Sequence, residues 1–361
     1  MPIRKKVTLQ HLATELGLTV HTVSKALRGL PGMSEYTRNE VLLLAQKLGY
    51  HTKEQERSLL FENTPVYSGQ SRRFIFLIAA RQGLQSPLHH ILLESVQHRL
   101  GEAGHKVELL FVPEGLQPAK AFIEWENKHN LSYADGIFIS PVIEEAVEAH
   151  LIQLKMPRIL LNFPPPGANV DSVIWNVHDA MQQSARHLIA MGHRRIMYIG
   201  NPWLSRGYQL RWQAFCMTME AAGLQVEPDS HIFEMNQPQE EWTAIWKRQT
   251  GTYKPTAFIC ASEQALTRVY LACQTTGKHI PGDYSLIGLE PEPSLRNIIP
   301  DIARPTLPVK ETGYRAADRM LWRIANPSLP YEHILLQGGL HNGSTVQPAH
   351  TEEPRGKRGS S

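Results

Sequence analysis

A chain of 361 residues, 42 % hydrophobic and 20 % charged, is more than twice the length of a typical single domain and has ample material for a core. Fibrous, collagenous and wholly disordered classes are excluded. The formal net charge of +3 is unevenly placed: residues 1–53 carry eight lysines and arginines against three glutamates, which leaves +5 there and −2 on the rest. A small basic domain on a slightly acidic body fits a polyanion reader coupled to another unit, although a solvated helical surface accounts for the charge equally well. The longest apolar run, residues 74–80, is far short of the roughly 20 residues that cross a bilayer, so no membrane partner is expected. Arg4, Lys5 and Lys6 lead into polar sequence without a signal-peptide core, and the expected location is the cytoplasm. Cys216, Cys260 and Cys273 lack C-x-x-C spacing and read as small buried hydrophobes. The 17 histidines show no H-E-x-x-H, and the adjacent His89 and His90 cannot both point the same way from a helix; neither a metal site nor a cofactor is expected.

The first fifty residues read as three short helices. Leu9, Leu12, Ala13 and Leu16 recur at the helical period behind a candidate cap at Thr8, and Gly17 stops that helix. Thr19 caps a second helix with Val20, Val23 and Leu27 inward. So short a connection makes two helices cross steeply, the helix-turn-helix arrangement that lays a second helix in the DNA major groove. Ser34 opens a third helix with Val41, Leu44, Ala45 and Leu48 inward and Gly49 at its end. Residues 51–73 read as a short helix and a linker. From residue 74 apolar runs alternate with helical segments: 74–78, 107–112, 136–139, 158–161, 196–199, 232–233, 257–260 and 285–287. Eight runs in two groups of four predict two doubly wound subdomains, with a ligand at the carboxyl ends of the strands in a cleft between them. The tail, 350–361, is expected to be disordered.

Residues 7–29, VTLQHLATELGLTVHTVSKALRG, with GMSEYTR at 32–38 and LGY at 48–50, closely resemble the headpiece of the LacI/GalR (lactose/galactose repressor) family. Looser matches are GHRRI at 192–196, RWQAF at 211–215, PGDYS at 281–285 and TGY at 312–314. The resemblance implies a small all-α helix-turn-helix headpiece, residues 1–50, and a hinge helix and linker, 51–73. It implies further an α/β effector-binding and dimerisation domain of two doubly wound, periplasmic-binding-protein-like subdomains, 74–349.

If the second helix enters the major groove, its outward residues Val20, His21, Thr22 and Lys25 face base edges, and the resemblance implies the same positions. Family members often carry Arg where Lys25 stands, and Lys lacks the planar fork. Thr8, Ser24 and Arg28 are candidates for phosphates, with ordinary capping or surface packing a rival role for Thr22 and Ser24. Leu59 matches the family's hinge leucine, which wedges into the minor groove; Thr52, Lys53, Glu54 and Glu56 replace the usual hinge residues.

In the regulatory domain Arg211 matches the family's effector-binding arginine. Asn162, Ser262 and Glu290 stand where Asp, Asn and Asp are common, and Ser86 and Ser140 complete a polar ring. Phe163, Trp175 and Trp203 lie near these positions, as sugar-stacking faces or as core. No G-x-S-x-G elbow, phosphate loop or dinucleotide fingerprint occurs, so an enzyme is not expected. The reading is a DNA-binding regulator, in all expectation a repressor, that binds a palindromic operator as a homodimer under control of a small effector, a sugar or sugar phosphate. The alternative is a cytoplasmic sugar sensor with weak or conditional DNA binding.

Overall fold

The computed structural model describes residues 7–28, 30, 32–48, 50, 71–80, 87–116, 119–289 and 301–349. The chain forms two compact units, Met1–Val66 with Trp322–Pro330, and Tyr67–Leu321 with Tyr331–Ser361. The expectations for Leu59, for Thr52, Lys53, Glu54 and Glu56, for Ser86, for Glu290 and for the tail lie outside the described residues.

In the first unit, α1 (Leu9–Leu16) begins at Thr8, whose hydroxyl accepts from His11 N, and ends at Gly17, whose φ of 63° is strained for any residue with a Cβ. Thr19 caps α2 (Val20–Leu27), accepting from Thr22 N at 3.1 Å. Ser34 likewise accepts from Thr37 N ahead of α3 (Glu35–Leu48). Leu12, Ala13, Val23, Ala26, Val41 and Ala45 form the buried centre, with Val20, Leu27, Leu44 and Leu48 packed around it. Ala26 at the centre lets the helices approach closely, and the larger Val20 and Leu27 stand at the margin.

The second unit has two lobes. The first is a six-stranded parallel sheet of β1 (Arg73–Ala79), β2 (Lys106–Val112), β3 (Gly136–Ile139), β4 (Arg158–Leu160), β5 (Asp171–Trp175) and the late β10 (His333–Leu336), in the order β10-β5-β4-β3-β1-β2. Its helices include α4 (Pro87–Glu102), α5 (Ala119–Lys128) and α6 (Glu145–Gln153). The second lobe holds α7 (Val177–Ala190), α8 (Arg206–Ala221), α9 (Gln239–Tyr253) and α10 (Glu263–Thr275) around a parallel sheet, β6 (Ile196–Ile199), β7 (Ala257–Cys260) and β8 (Ser285–Gly288). After β9 (Arg304–Pro305) the chain returns to the first lobe as α11 (Val309–Ala325). There a Cβ on Gly313 would stand 2.5 Å from Ser95 Cβ, so glycine is what lets α11 lie against α4. Past β10, β11 (Leu340–His341) pairs antiparallel with β9, and the last described residues lie in the second lobe, where Leu286 N donates to Thr345 O.

Four strands escaped the sequence reading: β5, β10 and the short antiparallel pair of β9 and β11. Instead of two groups of four, the first lobe has six strands, and the parallel sheet of the second has three plus a single bridge from Ile199 to Ile232, which is all that forms of the expected run 232–233. The start of β5 is polar, Asp171 and Ser172, and no apolar run announces it. Tertiary partners make that start tolerable: Asp171 Oδ1 accepts from Arg319 Nε and Nη2 at 2.9 and 2.6 Å and from Glu332 N at 3.0 Å. β10 is an edge strand of alternating exposure and lacks the continuous hydrophobic run of an interior parallel strand.

Candidate functional site

Among the described residues, two places carry chemistry. On the headpiece, Gly17 N donates to Thr14 O and Leu18 N to Ala13 O, which turns the chain sharply between α1 and α2. His21 and Arg28 are exposed on α2, and Thr22, Ser24 and Lys25 are partly so. Val20 is half-buried against the headpiece core, so only part of it faces outward. Thr22 Oγ1 bonds Thr19 Oγ1 at 2.8 Å, and Arg28 Nε donates to Ser24 O at 3.3 Å. Thr8 is exposed and caps α1. Lys25 Nζ would lie 2.9 Å from a Cβ on Gly32, so the ammonium rests beside that glycine. Capping and surface exposure thus coexist in these residues.

In the second unit, a cavity of about 660 Å³ opens where the strands of both lobes end. The first lobe contributes Pro141 and Val142 after β3, Asn162 and Phe163 after β4, and Trp175 at the end of β5. The second contributes Asn201, Ser205, Tyr208 and Arg211 around α8, and Ser262, Thr267 and Arg268 around α10. Arg211 is 4 % exposed; its Nη1 donates to Ala261 O at 3.1 Å and its guanidinium lies 4.5 Å over the Tyr208 ring. Ser262 caps α10, accepting from Ala265 N at 3.2 Å.

The cavity thus brings together Asn162, Arg211 and Ser262 of the expected ring. Ser140 is fully buried and donates to Pro141 O, so the wall at that point is made by Pro141 and Val142 in front of it. Ser140 follows directly on β3, where its N still donates to Leu77 O, one residue short of the opening. Phe163 and Trp175 line the cavity, whereas Trp203 is 76 % exposed and lines an adjoining hollow of about 510 Å³ with Glu144 and Glu145. His89 is buried and faces the cavity while His90 is exposed, as their adjacency on one helix requires.

Residue-type patterns missed a cluster at the edge of the cleft. Arg206, the first residue of α8, donates from Nη2 to Glu148 Oε1, from Nε to Phe163 O at 2.7 Å and from Nη1 to Glu145 Oε1 at 3.3 Å. Asn162 Nδ2 donates to Glu148 Oε2 at 3.5 Å. Burial pushes the Glu148 carboxyl above its ordinary pKa, although the neighbouring Arg206 pulls the other way. A signal existed: Glu148 interrupts the apolar stripe of Val147, Leu151 and Ile152 on α6. Val142, a β-branched residue at φ 67°, stands in the same wall, a strained backbone of the kind that gathers at functional sites.

Among the described residues no group of three metal-ligating side chains converges, and no helix is long and apolar enough to cross a membrane. Burial raises all three thiols, to about 11 for Cys216 and about 12 for Cys273, which leaves them protonated at neutral pH.

Residues 185–346 match the periplasmic binding protein-like domain. Proteins named HTH-type transcriptional repressor PurR, from several Escherichia coli strains, are 24 % identical over 325 residues, spanning 88 % of this chain and 91 % of theirs. That alignment is too long to be confined to either unit. Over nearly its whole length the chain is similar to regulators of the LacI/GalR family. Solved LacI-type regulators share its fold. The regulator CelR in complex with cellobiose is 18 % identical with a TM-score of 0.65, covering 94 % of this chain and all of its own. The lac repressor dimer bound to operator and an anti-inducer is 20 % identical with a TM-score of 0.63, covering 95 % of this chain and all of its own. A LacI family regulator from Enterococcus faecium with bound ribose, at 19 % and 0.63, covers 77 % of this chain and all of its own. The LacI/GalR motifs outside the cleft have structural work here: in GHRRI, His193 bonds Thr256 Oγ1 and Gln347 O, and Arg195 Nε donates to Lys254 O.

Proposed function

We propose that this LacI/GalR chain is a cytoplasmic, sequence-specific DNA-binding repressor that reads a palindromic operator as a homodimer and answers to a small carbohydrate effector in its cleft. The observation that carries the reading is the joint presence, on one chain, of a capped helix-turn-helix and a two-lobed cleft lined by Arg211, which lies over the Tyr208 ring. One short recognition helix reaches too few bases alone, so two are needed at half-sites about one helical turn apart. His21 and Lys25 read bases together with Val20 and Thr22, and Thr8, Ser24 and Arg28 position the helix on phosphates. In the cleft, Asn162, Arg211 and Ser262 take the effector's polar groups, and Phe163 and Trp175 its apolar face. Effector binding alters operator affinity because the ligand favours one arrangement of the lobes over another. The relatives support this: one solved regulator holds cellobiose, another ribose, and the lac repressor is seen as a dimer on operator.

Selection of bound duplexes from a random pool by the full-length protein, with and without a panel of sugars and sugar derivatives, tests the proposal. The expected result is an enriched palindrome whose yield depends on one of the ligands. No enrichment under any condition, with a ligand still protecting the protein against heat, would replace it with a sensor that does not bind operators.

A further inference from the structure

The polar atoms of the cleft wall are unequally satisfied. Arg268, on α10, donates from Nη2 to Gln237 O at 2.7 Å, while its buried Nη1 has no hydrogen-bond partner among the described residues. Its guanidinium lies 5.8 Å over the face of Trp242, a fully buried ring, and burial pulls its pKa below the ordinary arginine value. From the opposite lobe, Trp175 Nε1 is likewise buried without a partner among the described residues. Both of these orphaned atoms are donors. An unpaired buried donor is costly and a charged one more so, so each can take an acceptor that no described residue supplies.

The charge of the wall points the same way. Among the described residues that line the cavity, Arg211 and Arg268 stand against Glu263, an excess of one positive charge. A carboxylate brings one negative charge and only acceptors, whereas a phosphate monoester brings roughly 1.5 to 2 negative charges at neutral pH. We propose that the effector is a sugar acid, with its carboxylate received by Arg268 and its ring or polyol chain held by the rest of the cleft. This rests on the reading of the cleft as a carbohydrate effector site. Arginine suits the task, since its planar fork meets a carboxylate with two parallel hydrogen bonds.

Calorimetric titration of the full-length protein with D-gluconate and D-galacturonate, against D-glucose, D-galactose and D-glucose 6-phosphate, is the test. It is repeated on Arg268→Gln, which keeps an amide donor for Gln237 O. One sugar acid should bind at least roughly tenfold tighter than its neutral counterpart, and the variant should lose roughly 10- to 100-fold for the acid with little change for the neutral sugar. Equal affinity for acid and neutral sugar, a preference for the phosphate, or a preference that survives in Arg268→Gln would each overturn the proposal. Because the first two comparisons use the unmodified protein, poor folding of the variant does not remove the test. If no carbohydrate binds, the carbohydrate reading itself fails, and acetate decides this inference separately. Protection against heat by acetate relative to chloride, at equal ionic strength, sustains it when lost in Arg268→Gln; identical melting in both anions overturns it.

Discussion

Arg206 and Glu148 join the two lobes of the regulatory unit at the mouth of the cleft, with side chains 18 % and 2 % exposed. Each lobe supplies one charge, and the pair exists only while the lobes are together. Glu148 also receives Asn162, so the clasp touches the wall of the cavity. This gives the cleft a polar latch whose partners are separated by 58 residues in the chain.

Glu148→Ala should cost about 2–4 kcal/mol in urea unfolding, because it leaves Arg206 largely buried with only the exposed Glu145 opposite. Glu148→Gln keeps an acceptor and should cost less than about 1 kcal/mol. Burial raises the Glu148 pKa in the folded state, so the folded protein holds this proton more tightly than the unfolded chain. Its contribution to stability therefore declines as pH rises from about 4.5 through the raised value, and the glutamine variant lacks that slope. Equal losses in the two variants would mean that the negative charge is needed.

Asp171→Ala should be among the most damaging single changes, costing about 3–5 kcal/mol in denaturant melts. It removes the carboxylate that binds the buried Arg319 through two nitrogens, whereas the remaining carboxylate at 2.8 Å, Glu332, is half-exposed. A loss below about 1 kcal/mol would show that Arg319 is held without Asp171.

His231 sets an acid limit. Its Nδ1 accepts from Tyr198 N at 3.0 Å and its ring is packed among Trp212, Phe215 and Tyr253; burial pulls its pKa down to about 3. Between about pH 6.5 and 3 the unfolded chain binds the proton and the folded chain does not. Stability from this residue is therefore complete above about pH 6.5 and falls by about 1.4 kcal/mol per pH unit below it. His231→Asn, which can keep the acceptor, should flatten the stability profile between pH 6 and 4 by about that slope, read from urea melts at each pH; parallel profiles would exclude this residue as the cause.

On the headpiece, Lys25→Ala should relax selection at one symmetric base pair of the enriched operator; uniform weakening over all sequences would make Lys25 a phosphate contact. Gly17→Val should lower operator affinity through the fold, because a β-branched residue at φ 63° costs about 1–3 kcal/mol and the turn orients α2. Far-ultraviolet dichroism and operator titration separate the two effects.

The headpiece was nearly complete in its sequence. Thr8, Thr19 and Ser34 as caps, Gly17 as a stop and the stripe around Leu12 and Val23 depend on neighbours within four or five positions, where local chemistry decides the conformation. Most strands of the regulatory unit were equally visible because an interior parallel strand is a continuous apolar run, as 74–78 and 257–260 show. Of the cleft, Arg211, Asn162 and Ser262 were legible, standing at strand ends or matching a motif.

What the sequence by itself determined, then, is each local unit and its type. Only tertiary structure decided that the polar start of β5 could be buried, since Arg319 lies 148 residues away, and that the chain would return through α11 to add β10 beside β5. It also decided that Ser140 stands behind the cavity wall and that Arg268 and Trp175 face one cavity from opposite lobes. The physical reason is common to these cases. Whether a polar group is paired or orphaned depends on what long-range packing brings within about 3 Å of it, and local periodicity carries no record of that distance.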